Sequence, residues 1–201
     1  MQQADPYNLI RQHILSVADF SDADFDRFLG NCNTRIFHKN EFLLKQGSIC
    51  KEIYFLNSGF LRSFIKDNEG AEHTIHFVKP GFYITEYASF LRVKPATYSI
   101  IAHEKSEVVV IPKPAVLDGY ENIKDGNKLG RIIAEDIFIM VHDKVENKMV
   151  KTPLELYDEL TEEYPGIHQK VPQHMIASLL GISPVHLSRL KSAKLKSLQK
   201  R

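Results

Sequence analysis

Arg189 leads the side chains in this chain whose type and spacing suit recognition chemistry. A guanidinium is a rigid fork of donors that matches guanine O6 and N7, or a phosphate, with two parallel hydrogen bonds. Around it stand Ser183, His186 and Ser188, which can donate to phosphates or base edges, and Val185, whose methyls can meet a thymine methyl. Lys191, Lys194 and Lys196 are point charges suited to the phosphate backbone. All lie in the stretch Tyr164–Arg201, which holds seven Lys or Arg and no Asp or Glu. The rest of the chain carries 19 basic against 25 acidic residues, so a basic end is joined to a mildly acidic body. Such asymmetry suits a polyanion partner, although a solvated basic terminus has the same charge signature.

Those side chains need an element that can present them. Gln173–Leu190 has the pattern of a helix-turn-helix, in which two helices cross closely around a sharp turn. The crossing demands a small residue, the turn a glycine, and the inner faces apolar residues. Counted from Gln173, Ala177 is fifth and Gly181 ninth. Ile176, Leu180, Ile182, Leu187 and Leu190 fall at the buried positions. Ser183 is placed to cap the second helix, with Pro184 in its first turn. That second helix is expected to read the major groove with Pro184, Val185, His186, Ser188, Arg189 and Ser192 outward, and Gln173 opens the first helix beside it.

Upstream, periodicity divides the chain. Residues 5–31 read as two helices, the second started by a capping box at Ser21 and Asp24. From residue 34 to Pro112 short aromatic and β-branched runs alternate with turns. Gly47, Gly59, Gly70 and Gly81 punctuate them at intervals of 12, 11 and 11. This spacing predicts a β-sandwich or barrel-like roll. Residues 126–150 return to helical period with apolar residues on more than one side, including Leu129, Ile133, Ile137, Phe138, Met140, Val141, Val145 and Met149. Such a helix must bury more than one side, which the roll and a second copy of the chain together satisfy; the core of a monomer is the other solution. Thr152-Pro153-Leu154-Glu155 starts a further helix running to about Glu163, where Tyr164-Pro165-Gly166 stops it. The expected fold class is α+β: a double-stranded β-helix, or jelly roll, with flanking helices, a long dimerisation helix and an all-α helix-turn-helix. The expected units are 1–124, 125–150 and 151–201.

The chain has 201 residues, 43% hydrophobic and 25% charged, ordinary values for a globular protein. No apolar run is long enough to span a membrane, and Met1-Gln2-Gln3-Ala4 shows no export signal, so a cytoplasmic protein is expected. Cys32 and Cys50 are too few for a cysteine-ligated cluster.

Taken together, these features resemble the Crp/Fnr family of bacterial transcription regulators along essentially the whole chain. The segment around Tyr164-Pro165 and Val171-Pro172-Gln173 resembles a subgroup common in the Bacteroidetes. The resemblance implies a cyclic-nucleotide-binding-like roll, a homodimer joined by the long helix, and double-stranded DNA as partner, with RNA polymerase as a further one. It also implies an effector pocket at Tyr83, Thr85, Glu86, Ala96 and Thr97. Cyclic-AMP-binding members hold the nucleotide with Gly-x-x-x-Gly-Glu and, ten residues on, Arg-Ser. Here the stretch is Gly81-Phe82-Tyr83-Ile84-Thr85-Glu86, and Ala96-Thr97 replaces Arg-Ser. Ala96 offers no charge-assisted donor to a cyclic phosphate, and Lys94 is a poorer substitute for bidentate contact. A response to cyclic AMP is therefore not expected, and Phe82, Tyr83 and Tyr87 are candidates to fill the pocket. The second helix also departs, with Pro184 and Val185 where the cyclic-AMP type has Arg-Glu, and the β-hairpin wing is expected to be short or missing. No cofactor, metal or catalytic group is expected. The rival readings are an effector-binding module without DNA binding and a cupin-type metal enzyme. His73 and His76 with Glu86 suggest the latter, but residues three apart on a regular strand point to opposite faces, so they share a metal only across a bulge.

Overall fold

The computed structural model describes residues 5–198. Two short helices, α1 (Asn8–Val17) and α2 (Asp22–Gly30), come first. The Ser21 hydroxyl accepts the Asp24 N–H and the Asp24 carboxylate accepts the Ser21 N–H, so two orphan donors are satisfied and α2 starts there. Ile10, Ile14, Phe25, Phe28 and Leu29 are the buried faces of the pair.

Eight strands follow: β1 (Asn33–Phe37), β2 (Phe42–Leu44), β3 (Glu52–Ser58), β4 (Leu61–Lys66), β5 (Glu72–Val78), β6 (Tyr83–Ile84), β7 (Ser99–Ala102) and β8 (Ser106–Pro112). They form two four-stranded antiparallel sheets, ordered β1-β8-β3-β6 and β2-β7-β4-β5. The main core contains Phe55, Leu56, Leu61, Ile100 and Val108–Val110, all buried. At Gly59, φ is 98° and an added Cβ would stand 2.6 Å from the Lys105 carbonyl, so this turn admits only glycine. In β5, Ser63 pairs with His76 and Phe64 with Thr74, which leaves Ile75 as a bulge.

Between the strands lie α3 (Tyr87–Arg92) and, after β8, α4 (Lys113–Asn122). The long helix α5 spans Gly126–Val150. Its first turns close on α4: an added Cβ at Gly126 would lie 1.9 Å from the Gly119 carbonyl, and one at Gly130 would lie 2.3 Å from the Tyr120 ring. Beyond Leu129 no residue of α5 is fully buried. Helix α6 (Pro153–Glu163) begins with the Thr152–Glu155 capping box. Then come α7 (Ile167–Lys170), α8 (Gln173–Leu180) and α9 (Pro184–Leu198).

The periodicity and caps locate seven strands and the helices α1, α2, α5, α6, α8 and α9. They miss β6, α3, α4 and α7, each too short or too weakly patterned for a periodic signal. The C-terminal helices do not form a core of their own. Phe60 and Phe77 of the roll stack with centroids 5.4 Å apart inside a cluster with Tyr157, Leu160, Tyr164, Ile167, Ile176, Ala177 and Leu187. No described helix is long and apolar enough to cross a membrane.

Candidate nucleic-acid interface and effector pocket

Helices α8 and α9 are built as the pattern demands. Gly181 takes a left-handed φ of 73°. Its N–H donates to the Ser178 carbonyl and the Ile182 N–H to the Ala177 carbonyl, the paired bonds that end a helix sharply. The Ser183 hydroxyl accepts the His186 N–H at 3.1 Å, and its carbonyl accepts the Leu187 N–H at 3.0 Å. Ile176, Ala177, Leu180 and Leu187 are buried between the helices, while Ile182 and Leu190 are only partly covered.

The opposite face of α9 is open. Pro184, Val185, His186, Ser188 and Arg189 are exposed, and Arg189 enters no ion pair among the described residues. The Ser192 hydroxyl turns back onto the Ser188 carbonyl at 3.0 Å. Gln173 is exposed, its amide 3.4 Å from the Pro184 carbonyl. Two lysines of the acid-free stretch are committed elsewhere. Lys170 pairs with Glu104 of the roll at 3.3 Å, and Lys194 pairs with Asp158 of α6 at 2.6 Å. Lys191 is partly buried. Lys200, Arg201 and the Lys196 side chain lie outside the described residues, as do Met1–Ala4. Among the described residues α9 runs on as helix to Leu198 with no strand after it.

In the roll, the loop after Gly81 leads through β6 to Glu86, which caps α3. The buried Glu86 carboxylate accepts the Ser89 N–H and, at 3.1 Å, the Thr97 hydroxyl. The Ala96 methyl is buried, and the backbone of Ala96 bonds Ser48 and Gly47, each at 2.8 Å. Tyr98 donates to the Thr85 carbonyl at 2.7 Å. The expected filling of the pocket by aromatics does not occur. Phe82 is 53% exposed, Tyr83 packs on Phe55 and His13, and Tyr87 stacks on Phe90. A cavity of about 800 Å³ remains open between the roll, α5, α6 and α8.

The cyclic nucleotide-binding domain family matches residues 34–122. Over nearly the whole chain, the structure is similar to a transcriptional regulator of the Crp/Fnr family from Eubacterium rectale. Identity is 18%, coverage 91% of this chain and 87% of that one, and the TM-score 0.69. The c-di-GMP-responsive global regulator CLP of Xanthomonas campestris is 14% identical, with 90% and 92% covered and a TM-score of 0.67. FixK2 from Bradyrhizobium japonicum is 15% identical, with 83% and 85% covered and a TM-score of 0.68. The chain has the Crp/Fnr fold. No curated protein matches its sequence.

Within this Crp/Fnr fold, Glu86, Thr85, Tyr83 and Tyr98 line the cavity, whereas Ala96 and Thr97 sit behind the Glu86 carboxylate. The bulge at Ile75 removes the strand-alternation objection to His73 and His76, yet they do not converge. His73 pairs with Asp67 and His76 with Lys144, each at 2.6 Å. Among the described residues the only group spaced for a metal is exposed: His142, Asp143 and Glu146 on α5.

The contacts that join the helix-turn-helix to the roll have no local sequence signal. The Ser178 hydroxyl accepts the Thr74 N–H at 2.9 Å, and Tyr164 donates to the Phe77 carbonyl at 2.7 Å. His103 Nε2 lies 2.9 Å from the Lys170 carbonyl, which can only accept, so this nitrogen carries the proton. Buried Arg62 braces the receiving strand, bonding Thr74 at 3.0 Å and Glu72 at 2.7 Å.

Proposed function

We propose that this chain is a homodimeric, sequence-specific, DNA-binding transcription regulator of the cytoplasm that does not respond to cyclic AMP. The observation that carries the reading is the open outer face of α9, set on a tightly turned helix pair in an acid-free stretch. There Arg189 is free to read a guanine while Ser183, His186 and Ser188 contact phosphates or bases and Val185 a thymine methyl. Gln173 and Lys191 flank that face. Lys194, tied to Asp158, braces α9 on α6.

The dimer reading is supported by α5. Leu129, Ile133, Ile137 and Met140 form the stripe toward the roll and cavity. Ala134, Phe138, Val141 and Val145 form a second stripe with the four-three-four spacing of a helix–helix seam, Met149 extends it by one turn, and Val141 and Val145 also border the cavity. Phe138 is 69% and Met149 80% exposed in the single chain, a cost that a partner helix removes. Two recognition helices would then face DNA about 34 Å apart, one helical turn.

Against cyclic AMP, Ala96 supplies no charge to a phosphate, and both oxygens of the Glu86 carboxylate already accept hydrogen bonds. The test is selection of bound duplexes from a random pool, followed by titration against salt. A two-fold-related site and a log–log salt slope of about −0.9 per neutralised phosphate are expected. A flat response to salt, or no enriched sequence, overturns the reading and leaves a sensor module without DNA binding.

A further inference from the structure

The outward face of α9 is led by apolar carbon and carries no carboxylate. On a helix of about 3.6 residues per turn, Val185 and Ser192 lie opposite buried Leu187, with Ser188 and Arg189 to either side. Val185 is 60% exposed, and Pro184 beside it is exposed and has no N–H to offer. The Ser192 hydroxyl is spent on the Ser188 carbonyl at 3.0 Å. Arg189 has donors and no acceptor. Tyr164–Arg201 holds no Asp or Glu, and Asp158 of α6, which reaches α9, is paired with Lys194 at 2.6 Å. At the rim, Gln173 turns its amide nitrogen toward the Pro184 carbonyl.

We infer that each half-site is read through its oxygens and a C5 methyl group, not through its amino groups: a C5-methylated pyrimidine packs on Pro184 and Val185, and a guanine one helical turn along takes Arg189. The inference rests on the regulator reading and sets the class of base pair that the regulator selects. In the major groove guanine offers N7 and O6, and thymine offers O4 and a methyl. Cytosine offers an amino donor, and adenine an amino donor beside N7. A face of donors and apolar carbon complements the first two bases. Against an amino group it sets donor against donor, and only a serine hydroxyl can turn to accept. Val185 and Arg189 are four residues apart, about 5.4 Å along the helix, so their bases lie within about two base pairs of each other. Two bases carry the methyl in the groove, thymine and 5-methylcytosine. Val185 senses the methyl of either, but the O4 of thymine suits the neighbouring donors and the amino group of 5-methylcytosine does not, so thymine is the preferred base.

The test uses the full chain and a duplex selected from a random pool, with affinity measured by fluorescence anisotropy at fixed salt. Each thymine of one half-site is replaced in turn by uracil, which keeps every hydrogen bond and lacks only the methyl. One such change, within about two base pairs of the guanine whose replacement Arg189→Ala no longer senses, should weaken binding about threefold to tenfold, the size of one buried methyl. Val185→Ala should bind the thymine and uracil duplexes alike, whereas Arg189→Ala should keep the difference between them. Val185→Thr, which retains one methyl, should fall between the parent and Val185→Ala. At the same position 5-methylcytosine should bind more tightly than cytosine and less tightly than thymine, and Val185→Ala should erase the gap between the two cytosines. Equal binding of thymine and uracil at every position, a difference that survives Val185→Ala, or equal binding of cytosine and 5-methylcytosine overturns the inference. A selection that enriches no duplex sinks the regulator reading and the inference with it; a selected duplex indifferent to uracil sinks the inference alone.

Discussion

Arg189 and Lys194 share one helix and one charge sign, yet their surroundings give them different work. Arg189 is exposed and enters no ion pair among the described residues, so Arg189→Ala should cost roughly 1–3 kcal/mol on the selected site and relax preference at one base pair. If every sequence instead weakens alike and the salt slope drops by about one, Arg189 clamps a phosphate. Lys194→Ala should leave base preference unchanged, because that ammonium is spent on Asp158. His76 makes a pH prediction. Its folded value, about 3, lies below the ordinary 6.5, so between those values the unfolded chain binds a proton that the folded chain refuses. Stability is present above pH 6.5 and is lost as pH falls toward 3. Lys144 has the same sign higher up: stability rises with pH from about 8 to 10.5. Urea unfolding at pH 4 and pH 7 should show a smaller acid loss in His76→Gln than in the parent chain.

Among the elements, α5 carries the most consequences per residue. Its amino-terminal turns need glycine, since a Cβ at Gly126 would collide with backbone rather than with a movable side chain. Gly126→Ala should therefore destabilise by about 1–3 kcal/mol or more in chemical denaturation, the range for overpacking. Further along, the exposed stripe predicts that Phe138→Glu gives a monomer in sedimentation and loses tight binding to a two-fold site while the fold melts normally. Retained dimers would remove α5 as the seam. The start of α6 and the end of α8 were legible in sequence because their signals are local. A Thr three residues before a Glu, or a Gly after an apolar run, completes its hydrogen bonds within one turn. The caps on α3 were not: Glu86 reads as a ligand residue until its carboxylate is seen to accept from Ser89 and Thr97.

At the scale of the molecule, the recognition helix is aimed by the roll. Phe60, Phe77 and Tyr164 share one apolar cluster, and Arg62, Thr74 and Ser178 form a hydrogen-bonded chain from the roll into α8. Tyr164→Phe removes the bond to the Phe77 carbonyl and leaves that acceptor buried, a cost of about 1–3 kcal/mol. Hydrogen exchange should then quicken in α7 and α8 before it does in β3 or β8. Uniform exchange across both regions would mean that the joint contributes nothing of its own. The same joint closes the cavity around Lys144, so an occupant and the docking of α8 are energetically linked whichever way the linkage runs.

The residues alone determined the order of the longer elements and the turn of the helix pair and its outward face; the family resemblance added that Ala96 stands where cyclic-AMP-binding members have Arg. Each of these is written in spacing, caps or residue type within a few positions. Only the tertiary structure decided which cations remain available, because Lys170 and Lys194 find carboxylates 66 and 36 positions away. It also decided that the aromatics after Gly81 leave a cavity, and that Lys144 meets His76 across it. Packing and ion pairing between distant segments depend on the three-dimensional path of the chain, to which no local period or motif has access.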